Sequence, residues 1–366
     1  MNEVKLPFNV RLTFTLLSIL LIIYIARLGH ELIVPLIFAL LVSIMLLPLA
    51  TQLEKWRFSR GAAALTVILL FVIALAGVLT LLISQMGTFV ADFPELQAQM
   101  LKSLNSLQVW VNAHFHINSR KQMNYLEQFA MGTLGSATTF LSTALYSVSS
   151  LIIFVIFVLL YSFFLLFYRN MLVSFLIRVF NDEHREKLQD VIVQTQFIIK
   201  GYVTGLMIEM IVVAIVNCTI FWILGIRYAM LLGIMAAILN IIPYLGIYIA
   251  IVISMLITLT NSAVPTTLQV GICLLLVHFL DSNILLPRIV GSKVKINALI
   301  TILGVVAGNL LWGVSGMFLA IPIIAILKIV FEHIDYMHPW ALLMGDVTLK
   351  KKTLEIKNDP EEVVSE

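Results

Sequence analysis

Residues 229–260 read AMLLGIMAAILNIIPYLGIYIAIVISMLITLT, a run with no charged side chain. About 20 apolar residues suffice to cross a bilayer, so the run is long enough for a spanning helix. Its middle argues against one straight helix. Pro243 has no N–H to donate, and its ring clashes with the carbonyl of Leu239. Ile242, the residue before it, is pushed towards extended geometry, and Gly246 tolerates any turn. The chain can therefore reverse inside the membrane. Residues 298–330 repeat the design, with Gly313-Val314-Ser315-Gly316 at mid-run and Pro322 beyond it. Both runs are read as broken segments or re-entrant hairpins.

Six further apolar segments lie near 12–28, 32–50, 62–84, 146–168, 202–224 and 264–286, which makes eight in all. The whole chain of 366 residues is 61% hydrophobic and 12% charged, with a mean hydropathy of +1.04. A single anchor on a soluble body cannot give that mean. The fold class is an all-α polytopic membrane protein. The net charge of +3 reflects Lys and Arg scattered between apolar runs, with no basic face of the kind that binds nucleic acid. Two cysteines, Cys218 and Cys273, both in apolar runs, exclude a disulfide framework and a multi-Cys metal site by count. Lys5 and Arg11 precede the first apolar run, but no small-residue cleavage site follows it, so that run is expected to remain as a helix.

Four regions are expected. These are N-terminal membrane helices over 1–84, an extracytoplasmic amphipathic helical insertion over 85–145, a membrane transport core over 146–330 with a cytoplasmic helical loop at 169–200, and a cytoplasmic tail over 331–366. Loop charge sets orientation, because the side richer in Lys and Arg is normally cytoplasmic. With eight full crossings and the N-terminus inside, 15 basic residues lie inside and 8 outside. Treating 229–260 and 298–330 as hairpins returns Arg288, Lys293 and Lys295 to the inside, and the tally becomes 18 against 5. Six crossings plus two hairpins is therefore the favoured topology, with both termini cytoplasmic. Segment 202–224 with its hairpin, and 264–286 with its hairpin, then traverse in opposite senses, as in an inverted repeat. The pentapeptides 246–250 and 316–320 share Gly, apolar, aromatic, apolar, Ala, with Asn240 and Asn309 just ahead.

Irregular backbone at membrane depth survives only where protein or a water-lined cavity satisfies it, so the breaks are candidate sites. The substrate or ion pathway is assigned to Asn240, Pro243, Tyr244, Gly246, Asn309, Gly313 and Gly316, together with Glu209, Asp281 and Asn283. A structural kink satisfied by its neighbours is the alternative for the breaks. Glu209 lies too deep for a short carboxylate to reach water, at a cost of about 3 kcal/mol. Proton or cation coupling would repay it; a protonated Glu bonded to a helix neighbour is the alternative. Asp281 could instead be an interfacial cap or pair with Arg288, and His278, three residues before Asp281, could relay a proton. Gly201 and Gly205 form a close-packing pair. Phosphate-loop, zinc-protease, nucleophile-elbow and dinucleotide patterns are not found, so the chain is read as no enzyme, with no cofactor, no metal and no catalytic residue.

The last third resembles the autoinducer-2 exporter family of bacterial permeases, the PerM-like transporters. The resemblance rests on Ile242-Pro243-Tyr244-Leu245-Gly246, on the run from Asp281-Ser282-Asn283 to Arg288-Ile289-Val290-Gly291, and on Gly313 to Pro322. Two positions depart from the family pattern, Ile247 where Pro is usual and Asn297-Ala298 where His-Pro is frequent. The resemblance implies a multi-pass transporter of the bacterial inner membrane and a homo-oligomer in the lipid bilayer. Members are credited with export of a quorum-sensing signal and with sodium or lithium exchange for protons. The expected function is a secondary transporter, a permease or exporter moving a small polar solute such as a quorum-sensing signal. A sodium (lithium)/proton antiporter is the alternative, and a membrane scaffold a further one.

Overall fold

The computed structural model describes residues 7–91, 150–180, 185–242, 245–286, 288–289 and 296–345. The helices are α1 (Phe8–Leu28), α2 (His30–Lys55), α3 (Arg60–Ala91), α4 (Ser150–Phe167), α5 (Arg169–Val179), α6 (Arg185–Ile223), α7 (Ala229–Asn240), α8 (Gly246–Asn261), α9 (Val264–Leu280), α10 (Ala298–Glu332) and α11 (His338–Met344). No strand occurs among the described residues beyond an isolated bridge between Ile296 and Gly345. Seven of these helices are long and apolar enough to cross a membrane, counting α9 with the turn that extends it to Leu285. The protein is an all-α polytopic membrane protein. Most of the insertion expected over 85–145, and the tail beyond 345, lie outside the described residues.

The first expected hairpin is present. α7 has 12 residues and α8 has 16 residues. At the usual helical rise these are about 18 Å and about 24 Å long. Each is shorter than the ~30 Å apolar thickness of a bilayer. They pack against one another and share a core in which Leu232 and Ala236 of α7 meet Ile247 and Ala250 of α8. The close approach explains Gly246, where a Cβ would fall on the carbonyl of Leu239.

The second hairpin lies within α10. The helix breaks at Trp312 (φ -135°) and at Gly313 (φ 60°, ψ -141°). Only glycine enters the second of these backbone regions readily. The arms on either side run antiparallel. A Cβ on Gly308 would strike the carbonyl of Gly316, one on Gly316 that of Gly308, and one on Gly304 the side chain of Ile324. The two feet of the hairpin also meet. Asn297 donates from its backbone to Met344 O at 3.0 Å, and its side-chain amide bonds Leu343 O. α10 thus starts and ends on one side, which fits the hairpin topology and contradicts eight full crossings. Pro322, beyond the reversal, is buried within the second arm, which runs on to Glu332.

α6 is a single helix of 39 residues. The loop expected at 169–200 is therefore α5 followed by the first turns of the same helix that spans at 202–224. Buried Ile199, Tyr202 and Val203 of α6 pack against Val34, Leu41 and Ile44 of α2 and Leu319 of α10. One end of the molecule is fastened by ion pairs, Glu54 with Arg169 at 2.5 Å and Lys187 with Asp335 at 3.2 Å. Among the described residues, the segments around Glu54, Arg169 and Lys187 and the stretch at Asp335 are thus tied together by charge pairs.

Candidate functional site

Three polar side chains from three helices converge in the apolar interior. Glu209 lies on the inward stripe of α6, where Tyr202, Gly205, Glu209, Val213, Asn217 and Phe221 recur every three or four residues and are all buried. Asn240 is the last residue of α7, and it reaches the stripe because α7 packs closely on α6. A Cβ on Gly233 would sit 2.6 Å from the backbone nitrogen and Sγ of Cys218. Asp281 opens a π-helical turn, Asp281–Leu285, that continues α9. Such turns insert an extra residue per winding, re-aim the side chains after them, and recur at functional sites.

The Asn240 amide joins the two acids. Its Nδ2 donates to Asp281 Oδ2 at 2.8 Å and faces Glu209 Oε1 at 3.4 Å. The second contact is the longer and the weaker. Glu209 is 5% and Asp281 4% exposed. The two carboxyl groups lie within hydrogen-bond reach of each other. Glu209 Oε2 and Asp281 Oδ1 are buried with no donor facing them among the described residues. None of the described ion pairs involves either acid, so the expected alternative of an Asp281–Arg288 pair does not form. By helix rise the site lies roughly 20 Å from the end where α6 turns into α7, well inside the bilayer.

Two buried carboxyl groups without a cationic partner are costly as two negative charges. A single proton bridging them, or a single small cation held by both, removes most of that cost. Among the described residues no cluster of three or more His, Cys, Asp or Glu could hold a metal ion by protein ligands alone. His278, one turn before Asp281, faces the Ser282 hydroxyl through Nε2 at 3.3 Å while its Nδ1 is buried without a partner.

The other expected site residues divide. Pro243 and Tyr244 lie outside the described residues. Gly246 shapes the first turn beside Asn240, and Gly313 and Gly316 build the second. Asn309 is exposed on the outer face of the first arm of α10, away from the acids. Asn283 is exposed too, its amide bonded to Phe279 O of its own helix at 2.8 Å. The symmetry suggested by the paired Asn residues thus fails at the side chains. A small difference in helical register is enough to turn a polar group from core to lipid. The hairpins still touch, because Ile242 packs against Val305, Met317 and Ala320. Sequence reasoning missed the buried polar residues Ser254, Thr258 and Asn217. The first two recur at a four-residue step in α8, and their hydroxyls lack partners among the described residues. That spacing within an apolar run was the available signal.

The sequence pattern of the AI-2E family transporter matches residues 14–335. The chain is 25% identical to YrrI of Bacillus subtilis (strain 168), named as a transport protein, over 82% of this chain and 86% of that one. It is 25% identical to the AI-2 transport protein TqsA of Escherichia coli (strain K12), over 88% and 91% of the two chains. It is 24% identical to YhhT of the same strain, also named as a transport protein, over 90% and 93%.

Proposed function

The chain belongs to the AI-2E family of transporters, and on that basis we propose that Glu209, Asn240 and Asp281 form its coupling and binding site for a small polar solute. The protein is a multi-pass membrane transporter. The observation that carries the site is the Asn240 amide held between two buried carboxyl groups. In this reading one proton resides on the Glu209–Asp281 pair. Loading the proton takes the pair from two negative charges to one and so lowers the penalty of facing the bilayer interior; releasing it leaves an acceptor-rich pocket for hydroxyl donors of the solute. The amide orients both acids, and in this reading the break at 312–313 supplies freed backbone groups to the path. AI-2, the cargo in the name of TqsA, is the solute to try first in this reading. The membrane is the bacterial inner membrane, with the end carrying Glu54, Arg169 and Lys187 in the cytoplasm.

Flux in liposomes containing the purified protein tests this. Signal accumulation driven by an imposed pH gradient, and lost in Glu209→Gln with folding intact, is the expected result. Sodium-dependent proton movement lost in the same variant would favour the antiporter, for which the acid pair would serve as the cation site. Unchanged solute transport in Glu209→Gln removes that residue from the mechanism.

A further inference from the structure

A cavity of about 440 Å³ lies between α2, the end of α4, α5 and the first turns of α6. Its position on α6, around Ile192 and Thr195, is roughly 20 Å along the helix from Glu209, so it is separate from the transport site. The size falls within the range of about 300–1,000 Å³ typical of small-molecule sites.

The cavity exists because α5 does not close onto its neighbours. The helix is amphipathic, with Arg169 and Arg178 at its two ends and an apolar face between, yet none of its residues is buried. Val173, Phe175 and Leu176 line the cavity while Phe175 remains 61% exposed. An amphipathic helix whose apolar face is not packed on protein lies on lipid. The lining is mostly apolar, and Arg169 is its one charged side chain. Arg169 is held by Glu54 through a single guanidinium nitrogen, which leaves further N–H donors on the fork. A second guanidinium is near this end of α5, where exposed Arg60 faces the side-chain amide of Asn170, the residue after Arg169, at 3.2 Å. Along the chain, Arg178, Arg185 and Lys187 are balanced by Asp182, Glu183, Glu186 and Asp190, so the positive charge at the cavity is local to the two arginines.

We propose that this cavity is a lipid site, taking one acyl chain of an anionic phospholipid between α5 and the α2–α6 pair with the phosphate at Arg169 and Arg60. The apolar walls accept the chain; the arginines select an anionic head over a zwitterionic one by charge-assisted hydrogen bonds. An occupied cavity fixes α5 against α6, and an empty one leaves its apolar face uncovered.

Native mass spectrometry of the purified full chain, mixed with phosphatidylglycerol or phosphatidylcholine of identical chains, tests the proposal. Several-fold more phosphatidylglycerol is expected to remain bound. Val173→Trp and Ile192→Trp, which fill the cavity, are expected to abolish the preference, while Val193→Trp, on the exposed face of α6, keeps it. Arg60→Gln, a change at an exposed side chain, is expected to reduce it and decides the matter should both filled variants fail to fold. Equal retention of the two lipids, a preference that survives in both filled variants, an undiminished preference in Arg60→Gln, or displacement by free oleate with no phospholipid preference would overturn the proposal.

Discussion

Asn240 is the residue on which the candidate site turns, because among the described residues its amide touches both acids. Asn240→Leu leaves two buried carboxyl groups with no shared donor, and an unmet buried polar group costs about 1–3 kcal/mol. The expected outcome is loss of gradient-driven flux with a modest fall in the unfolding midpoint; undiminished flux would show that the amide is not required. The glycines give a sharper contrast. Gly246→Ala drives a methyl into the Leu239 carbonyl and is expected to destabilise by about 1–3 kcal/mol or more, as overpacked sites do. Gly77, with open space around it in α3, is expected to accept Ala with no loss, since Ala favours helix by ~1 kcal/mol over Gly. Thermal unfolding of both variants in one detergent checks the pair.

The hairpin is the element that separates this fold from a simple bundle. Gly313→Ala is expected to cost about 1–3 kcal/mol, because its positive-φ backbone admits a Cβ only under strain. The topology has its own test. Single cysteines at Lys293 and Asp335, in a protein cleared of Cys218 and Cys273, are expected to react with a membrane-impermeant thiol reagent from the same side. Reaction from opposite sides would contradict the junction of Asn297 with Leu343 and Met344. Two breaks were legible in the sequence because Pro and Gly act on local backbone. Which break carries polar groups inward was not legible, since that depends on the register of α7 and α10 against their neighbours.

Across the whole molecule, long-range ion pairs tie together elements that are far apart in the chain. Glu54 and Arg169 are each about one-fifth exposed, whereas Asp335 in the Lys187 pair is almost fully exposed. Removing one partner of a mostly buried pair strands a charge and costs a few kcal/mol, while an exposed pair is worth ~0–1 kcal/mol. Glu54→Gln is therefore expected to lower the unfolding midpoint clearly and Asp335→Asn hardly at all. High salt should leave the first pair largely intact and abolish the second. Equal effects of the two substitutions would mean that the Glu54–Arg169 pair is as solvated as the surface one.

The class, the number of apolar segments, both chain reversals and the depth of Glu209 could all be read from the chain before it was folded. They follow from local quantities: hydropathy over about 20 residues, the missing donor of Pro243, and the cost of a carboxylate at depth. Folding was needed to show that Glu209, Asn240 and Asp281 meet, that Asn309 and Asn283 stand apart, and that a cavity opens beneath α5. Those outcomes depend on helix rotation and on packing between residues far apart in the chain, 72 positions for Glu209 and Asp281 and 156 for Leu40 and Gln196 of the cavity. A turn of about 100° per residue decides whether a side chain faces protein or lipid. Where nearly every side chain is apolar, the periodic contrast that reveals such a rotation in a soluble helix is largely erased.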